Sequence, residues 1–291
     1  MLTLVLTRHG STTRSAPEQH LGQHLDLPLS EAGRAASRAL GERLAGVRFD
    51  RVIASPLLRA RETASLVVPG RVVETDARLL EMDYGRWEGL TYEQIETVDG
   101  EARRRWEADP AGQACPGGES GDQVARRVGA FLDDLIAWAS GSPRGGSVAS
   151  TPASALAAAG RVASAGAPSP AGASSSARAP SPASASDPAG EFAAASASAP
   201  AGAFASAGPS SSADGATDSD AVALVLAHST TNRVLLCVAL GVPVRDYRRR
   251  FVQAPANLTV LRFPGGRAEG AQLLVANDIA HVRGIRGVTW G

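Results

Sequence analysis

The chain has 291 residues, and its 29 basic and 29 acidic residues balance to a formal net charge of zero at pH 7, which removes any general attraction to nucleic acid or anionic lipid. There is no run of about 18 apolar residues to span a bilayer and no charged segment ahead of a short apolar one, so a cytoplasmic protein without nucleic-acid or membrane partners is expected. The two cysteines, Cys115 and Cys237, lack any ligand spacing and read as reduced thiols.

Leu2 to Leu6 is a short apolar run, the pattern of a strand buried on both faces of a parallel sheet, and Asp50 to Ala54, Arg71 to Thr75 and Ala221 to Ala227 read the same way. The first run leads into Thr7-Arg8-His9-Gly10, which puts a guanidinium and an imidazole at a strand's C-terminal edge, where open α/β sheets bind ligands. Ser30 predicts the N-cap of a helix whose apolar residues Ala36, Leu40 and Leu44 recur every four positions. Ser55-Pro56 predicts an N-cap with proline at the first helical position, placing Arg59 one turn inside a second helix, near its positive end. Thr91 with Gln94 forms a capping-box pattern for a third helix. A fourth is predicted from near Glu119, with Val124, Val128, Phe131, Leu132, Leu135 and Ile136 as its core-facing stripe.

Residues 141 to 220 have another composition, with Ala, Ser, Pro and Gly at 65 of 80 positions. Their few larger apolar residues cannot offset an ordering cost of roughly 1–2 kcal/mol per residue, so this segment is predicted to be a disordered insert that dangles away from the chemistry. Residues 1 to 140 and 221 to 291 then make one discontinuous domain. After the insert, Ala221 to Ala227 runs into His228, and Thr230 to Leu240 has a helical pattern. Leu258 to Phe263 and Ala271 to Ala276, joined through Pro264-Gly265-Gly266-Arg267, predict a hairpin at the sheet's margin. Alternating strands and helices imply a three-layer αβα sandwich around a mostly parallel sheet.

Hydrolysing a phosphate monoester without a metal needs positive charge around the non-bridging oxygens, an in-line nucleophile and a proton donor for the leaving alcohol. Arg8 and Arg59 can fork onto phosphate oxygens, His9 offers a ring nitrogen for attack, and His228 offers a second donor. Glu81 is the candidate acid, with Asp83 and Glu88 as neighbouring competitors. His20 and His24 stand four apart, but no glutamate follows His20, so both are taken as loop residues and no metal or cofactor is expected. Arg103 to Arg105 and Arg248 to Arg250 read as solvated helix faces, whereas Arg14 lies in the loop after His9 and can attract a second anionic group.

These residues stand in ordered blocks: Thr7-Arg8-His9-Gly10-Ser11-Thr12; Gly22 with Asp26, Pro28-Leu29-Ser30 and Gly33; Ser55-Pro56-Leu57-Leu58-Arg59-Ala60 with Glu62-Thr63-Ala64; Glu81 with Gly85 and Trp87-Glu88-Gly89; Pro116-Gly117-Gly118-Glu119-Ser120; and Ala227-His228 followed by Arg233. In order and spacing the chain resembles the histidine phosphatase superfamily, in its phosphoglycerate mutase-like branch. The resemblance implies that His9 takes the phosphoryl group while Glu81 protonates the departing oxygen and then helps water attack, with Arg8, Arg59 and His228 holding the phosphate. It further implies substrate contacts from Thr12, Ser15, Gln19, Gly22 and the Ser229 N–H. The chain departs from the family at Ser11, Ser15 and Ser229, where glutamate, asparagine and glycine are common. The implied activity is that of a phosphatase on a small phosphorylated metabolite. A phosphoglycerate mutase is the alternative, but once the insert is set aside the segment from Glu81 to His228 is shorter than the one with which mutases roof the pocket. An inert binding protein of the same fold would have lost the nucleophile, an arginine or the acid, and none is lost. Substrate identity and oligomeric state stay open.

Overall fold

A computed structural model describes residues 1–15, 19–141 and 221–283, so the segment read as an insert lies, apart from Gly141, outside the described residues. Six strands form one sheet: β1 (Leu2–Arg8), β2 (Arg51–Ala54), β3 (Glu74–Thr75), β4 (Ala221–Ala227), β5 (Leu258–Phe263) and β6 (Gln272–Asp278), in the order β3-β2-β4-β1-β5-β6. The first four run parallel, and β5 and β6 add an antiparallel margin where the hairpin was predicted. At the centre, β1 and β4 pair in register from Leu2 opposite Ala221 to Arg8 opposite Ala227. The two chain segments therefore end their central strands at the same edge.

Side chains alternate across a strand, so each strand feeds two cores. Val5, Val52, Ala54, Leu224 and Leu226 face α1 (Glu31–Leu44) and α2 (Leu58–Val67), packing on Leu40, Leu44, Ala64 and Val67. Leu4, Leu6, Ile53, Ala223 and Val225 face the other way. They meet the predicted stripe of α4 (Gly121–Ala139) and the apolar side of α5 (Ser229–Leu240), beside α3 (Tyr92–Ala108) and the short α6 (Tyr247–Arg250). Two helical layers around a sheet give the expected sandwich. No helix among the described residues is long and apolar enough to cross a membrane.

Capping follows the sequence in most places. The Ser30 side chain accepts from the Gly33 N–H, and both Thr91 with Gln94 and Ser120 with Gln123 close capping boxes. Helix α2 differs: it starts at Leu58 without a side-chain cap, so Arg59 is its second residue. The expected cap, Ser55, accepts from the Leu57 N–H at 3.4 Å and has its hydroxyl 2.7 Å from His228 Nε2. The strand predicted at 71–75 shrinks to Glu74–Thr75 because it forms the sheet's edge, where Val72 is 85% exposed and has no apolar surface to cover. The arginine runs are only partly solvated: Arg103 lies over the Tyr92 ring and Arg248 over Trp106, at 5.0 and 4.5 Å.

The loop leaving β1 is pressed against the first turn of α1. A Cβ on Gly10 would stand 2.6 Å from the Gly33 carbonyl oxygen, a Cβ on Gly33 would enter the Ser11 backbone, and the Ser30 N–H donates to Ser11 O at 2.8 Å. Gly33→Ala is therefore expected to cost about 2 kcal/mol or more of stability by overpacking. An unchanged urea midpoint for this variant would show that the close approach does not hold the loop.

Candidate active site

Strands β1 and β4 deliver His9 and His228 as neighbours: the His9 N–H donates to Ala227 O at 3.0 Å, and the two ring centroids are 5.1 Å apart. The His9 Nδ1 lies 2.7 Å from Gly10 O, and a carbonyl can only accept, so Nδ1 carries the hydrogen and Nε2 keeps its lone pair. Burial pushes the proton affinity of His9 well below that of an ordinary imidazole, and the charges of Arg59 and Arg8 push it the same way. His228 is lowered too, first by burial and then by Arg59 and by His9. Both rings are neutral at pH 7.

Glu81 sits in the turn between two 3-10 segments, Ala77–Leu79 and Gly85–Trp87, and is 4% exposed. Its Oε1 accepts from the N–H groups of Met82 and Thr231 at 2.9 and 3.1 Å, and its Oε2 accepts from the Thr230 N–H at 3.2 Å, while the Thr231 hydroxyl, 3.1 Å from Oε1, donates to Leu80 O at 2.7 Å. One helix start thus supplies His228 as its N-cap and orphan N–H donors that grip the carboxylate. Arg127 and Gln23 fix the backbone behind it by donating to Glu81 O at 3.1 and 2.9 Å. The competing acids face loop backbone, Asp83 Oδ1 accepting from the Gly85 N–H at 2.8 Å and Glu88 Oε1 from the N–H groups of His24 and Leu25 at 2.8 and 2.6 Å, and neither lines the cavity beside His9.

Beside His9 lies a cavity of about 50 Å³. Of the predicted residues, Arg8, His9, Ser15, Gln19, Glu81 and Ser229 line it, whereas Thr12, Gly22, Arg59 and His228 stand behind. Arg8 is anchored by donating from Nη1 to Gln253 O at 2.8 Å and from its backbone N–H to Asn257 Oδ1 at 2.9 Å. Arg59 is fully buried and donates to Gly22 O at 2.8 Å and Leu25 O at 3.1 Å, so it shapes the loop that Gly22 belongs to. The Thr12 N–H donates to Ser15 Oγ at 2.9 Å, which folds the loop after His9 back on itself. His20 joins the lining, its ring edge-on to Tyr84 and Tyr92, as the reading of it as a loop residue near the site requires.

Sequence reasoning missed Tyr84, Trp106, Thr230, Arg233 and Tyr247, all of which line the cavity. The Thr230-Thr231 pair, one residue past the second histidine, was a readable signal, since helix-start donors seek an anion. Trp106 and Tyr247 gave none, because they arrive from the far end of α3 and the first residue of α6. Among the described residues one group could hold a metal ion, His24, Asp83 and Glu88, with ligand atoms within 4.8 Å of one another, and none of the three lines the cavity.

The family model of the histidine phosphatase superfamily (branch 1) matches residues 4–145. The glucosyl-3-phosphoglycerate phosphatase of Mycobacterium tuberculosis is 39% identical over 136 residues, 46% of this chain and 60% of that protein. The adenosylcobalamin/alpha-ribazole phosphatase of Salmonella typhimurium is 34% identical over 139 residues, 47% of this chain and 68% of that one. The chain thus spans about three fifths of the first relative's length and two thirds of the second's. The solved structure of a mycobacterial glucosyl-3-phosphoglycerate phosphatase is 26% identical and superposes with a TM-score of 0.60 over 94% of this chain and 98% of its own. By these likenesses the chain belongs to the histidine phosphatase superfamily.

Proposed function

We propose that the chain is a metal-independent phosphatase that hydrolyses a small phosphate monoester through a phosphohistidine on His9. The observation that carries this reading is a neutral imidazole with a bare Nε2 in one cavity with a guanidinium, Arg8, and a carboxyl group, Glu81. In the first step His9 Nε2 bonds to phosphorus as the ester P–O bond breaks, and the leaving oxygen takes its proton from Glu81. In the second, Glu81 takes a proton from water as that water attacks phosphorus. The P–N bond breaks, phosphate leaves and the imidazole is restored.

Charge in the transition state is met by Arg8, by the Ser229 N–H at the start of α5, and by His228. His228 Nε2 lies 2.7 Å from the Ser55 hydroxyl, and its buried Nδ1 has no partner among the described residues; with the hydroxyl donating to Nε2, Nδ1 is the nitrogen that donates to the phosphoryl group. Arg59 acts mainly through its charge and through Nε, since its other nitrogens are held by carbonyls. Ser15 and Gln19 touch the substrate, while Thr12 and Gly22 hold the loop and Arg59 in place. Residues 1–140 and 221–291 act as one domain, a reading supported by the β1–β4 register. The named relatives are phosphatases of small phosphorylated metabolites, and a solved structure of a mycobacterial glucosyl-3-phosphoglycerate phosphatase, 25% identical to this chain, is its complex with inorganic phosphate. The two buried free cysteines fit a reducing cytoplasm.

Turnover of p-nitrophenyl phosphate is expected to persist in EDTA, and His9→Ala should lower kcat by about 10³-fold or more. A phosphoryl adduct trapped during turnover should be acid-labile. Retained activity in His9→Ala, or a purely acid-stable adduct, would remove His9 from the nucleophile's role, and silence of the native chain across a panel of esters would favour an inert protein.

The lowered histidines also set a pH dependence of stability. A ring that titrates lower in the fold than its unfolded value of about 6.5 takes up a proton on unfolding, so its contribution is complete above that pH and is lost as the pH falls towards the folded value. Each such ring contributes a slope of up to about 1.4 kcal/mol per pH unit below 6.5. Denaturant melts between pH 7.5 and 5 should show falling stability, with a shallower slope in His228→Gln; identical slopes would contradict neutral buried rings.

A further inference from the structure

The segment between α6 and β5 decides where the Arg8 guanidinium points. Arg8 Nη1 donates to Gln253 O at 2.8 Å, which sets the plane of the fork that lines the cavity. The antiparallel pairing of β1 with β5 sets Leu6 opposite Thr259, and two residues further in the same register Arg8 stands opposite Asn257. There a side chain takes over from the ladder: the Arg8 N–H donates to Asn257 Oδ1 at 2.9 Å. The Ala256 N–H turns back on the same two residues, donating to Arg8 O at 3.0 Å and to His9 O at 3.3 Å.

Neither Gln253 nor Asn257 lines the cavity, and both belong to a buried network of amides. Gln253 Oε1 accepts from Asn257 Nδ2 at 3.1 Å and from Asn232 Nδ2 at 3.3 Å, and Gln253 Nε2 donates to Val252 O at 3.0 Å. Asn257 Nδ2 also donates to the Thr259 hydroxyl at 3.2 Å. Asn232 lies in α5 one turn after His228, so the Gln253 amide bridges the helix of the second histidine and the strand of the first. All three amides are 1% exposed or less, where polar groups are costly and a bonded network stiffens whatever it holds. Backbone strain falls on the same segment. Ala256 and Asn277, at φ 53° and 47°, are the non-glycine residues with positive φ among the described residues, and Asn277 Oδ1 accepts from the Ala254 N–H at 2.8 Å.

We propose that Gln253 and Asn257, braced by Asn232, are the positioning residues of Arg8, holding its guanidinium in the orientation that meets the phosphoryl oxygens. Gln253 acts through the carbonyl that its own clamped side chain keeps in place, and Asn257 through the Arg8 backbone. The charge then meets the transition state without first being reoriented. The assignment rests on the phosphatase reading and deepens it at the same site.

A double-mutant cycle separates positioning of Arg8 from general support of the fold. With p-nitrophenyl phosphate, Gln253→Met is expected to lower kcat/KM about tenfold in the native chain and in Glu81→Gln, but less than twofold in Arg8→Met, which has no guanidinium left to misplace. An equal loss in the native chain and in Arg8→Met, or no loss in the native chain, would overturn the positioning role and leave the phosphatase reading standing. If Gln253→Met does not fold, Asn232→Ala removes the brace alone and leaves Gln253 Oε1 its bond from Asn257; its expected loss of about threefold should likewise vanish in Arg8→Met, and its persistence there would overturn the role. If the native chain turns over no ester, the phosphatase reading falls and the cycle is read on the Kd of inorganic phosphate. Weakening by Gln253→Met that disappears in Arg8→Met supports the role, whereas equal weakening in both, or no phosphate binding by the native chain, overturns it.

Discussion

The parallel pairing of β1 with β4 is the constraint on which everything else depends. It joins segments that are more than two hundred residues apart in sequence, in register over seven residues, and so fixes where each strand ends. Because both strands run the same way, His9 and His228 leave the sheet at one edge and their rings come within 5.1 Å. A slip of one residue would turn Leu4 and Val225 from one core to the other, so the two-sided core locks the same register that the site requires.

The second organising element is the start of α5. An exposed helix start gives its free N–H groups to water, but here His228 is the N-cap and Thr230 and Thr231 bind Glu81. His9, whose N–H donates to Ala227 O, His228 and Glu81 are thereby tied to one piece of backbone. The same element reaches the start of α2: the Ser55 hydroxyl, expected as its cap, lies 2.7 Å from His228 Nε2 and accepts from the Leu57 N–H at 3.4 Å, while the helix itself starts at Leu58 with no side-chain cap.

Much of this was legible in the sequence, for identifiable reasons. The apolar runs and caps of β1, α1, α3 and α4 are local signals, and locally determined elements formed where they were read. The strand at 71–75 was overread because an apolar-rich run says nothing about whether it lies at the sheet's edge. The partition of the arginines was also invisible. Arg8 lines the cavity and Arg59 does not, although both belong to blocks that read alike, because their roles depend on which carbonyls the 21–26 loop presents. Trp106 and Tyr247 reach the site through packing between distant helices, a placement no spacing rule reports.

Burial and charge act together on the chemistry. A cavity rich in guanidinium groups would favour a phosphate dianion anywhere on a protein, but on the surface water would weaken it and a histidine beside it could still protonate. Enclosing the site removes that water, and the same desolvation that strengthens attraction for the anion keeps both imidazoles unprotonated, with Arg59 and Arg8 adding to the effect. Among the described residues, the buried His228 Nδ1, Arg59 Nε and Arg233 Nε have no hydrogen-bond partner. A buried polar atom left without a partner costs free energy, so these atoms lower the stability of the same fold that keeps both imidazoles out of water.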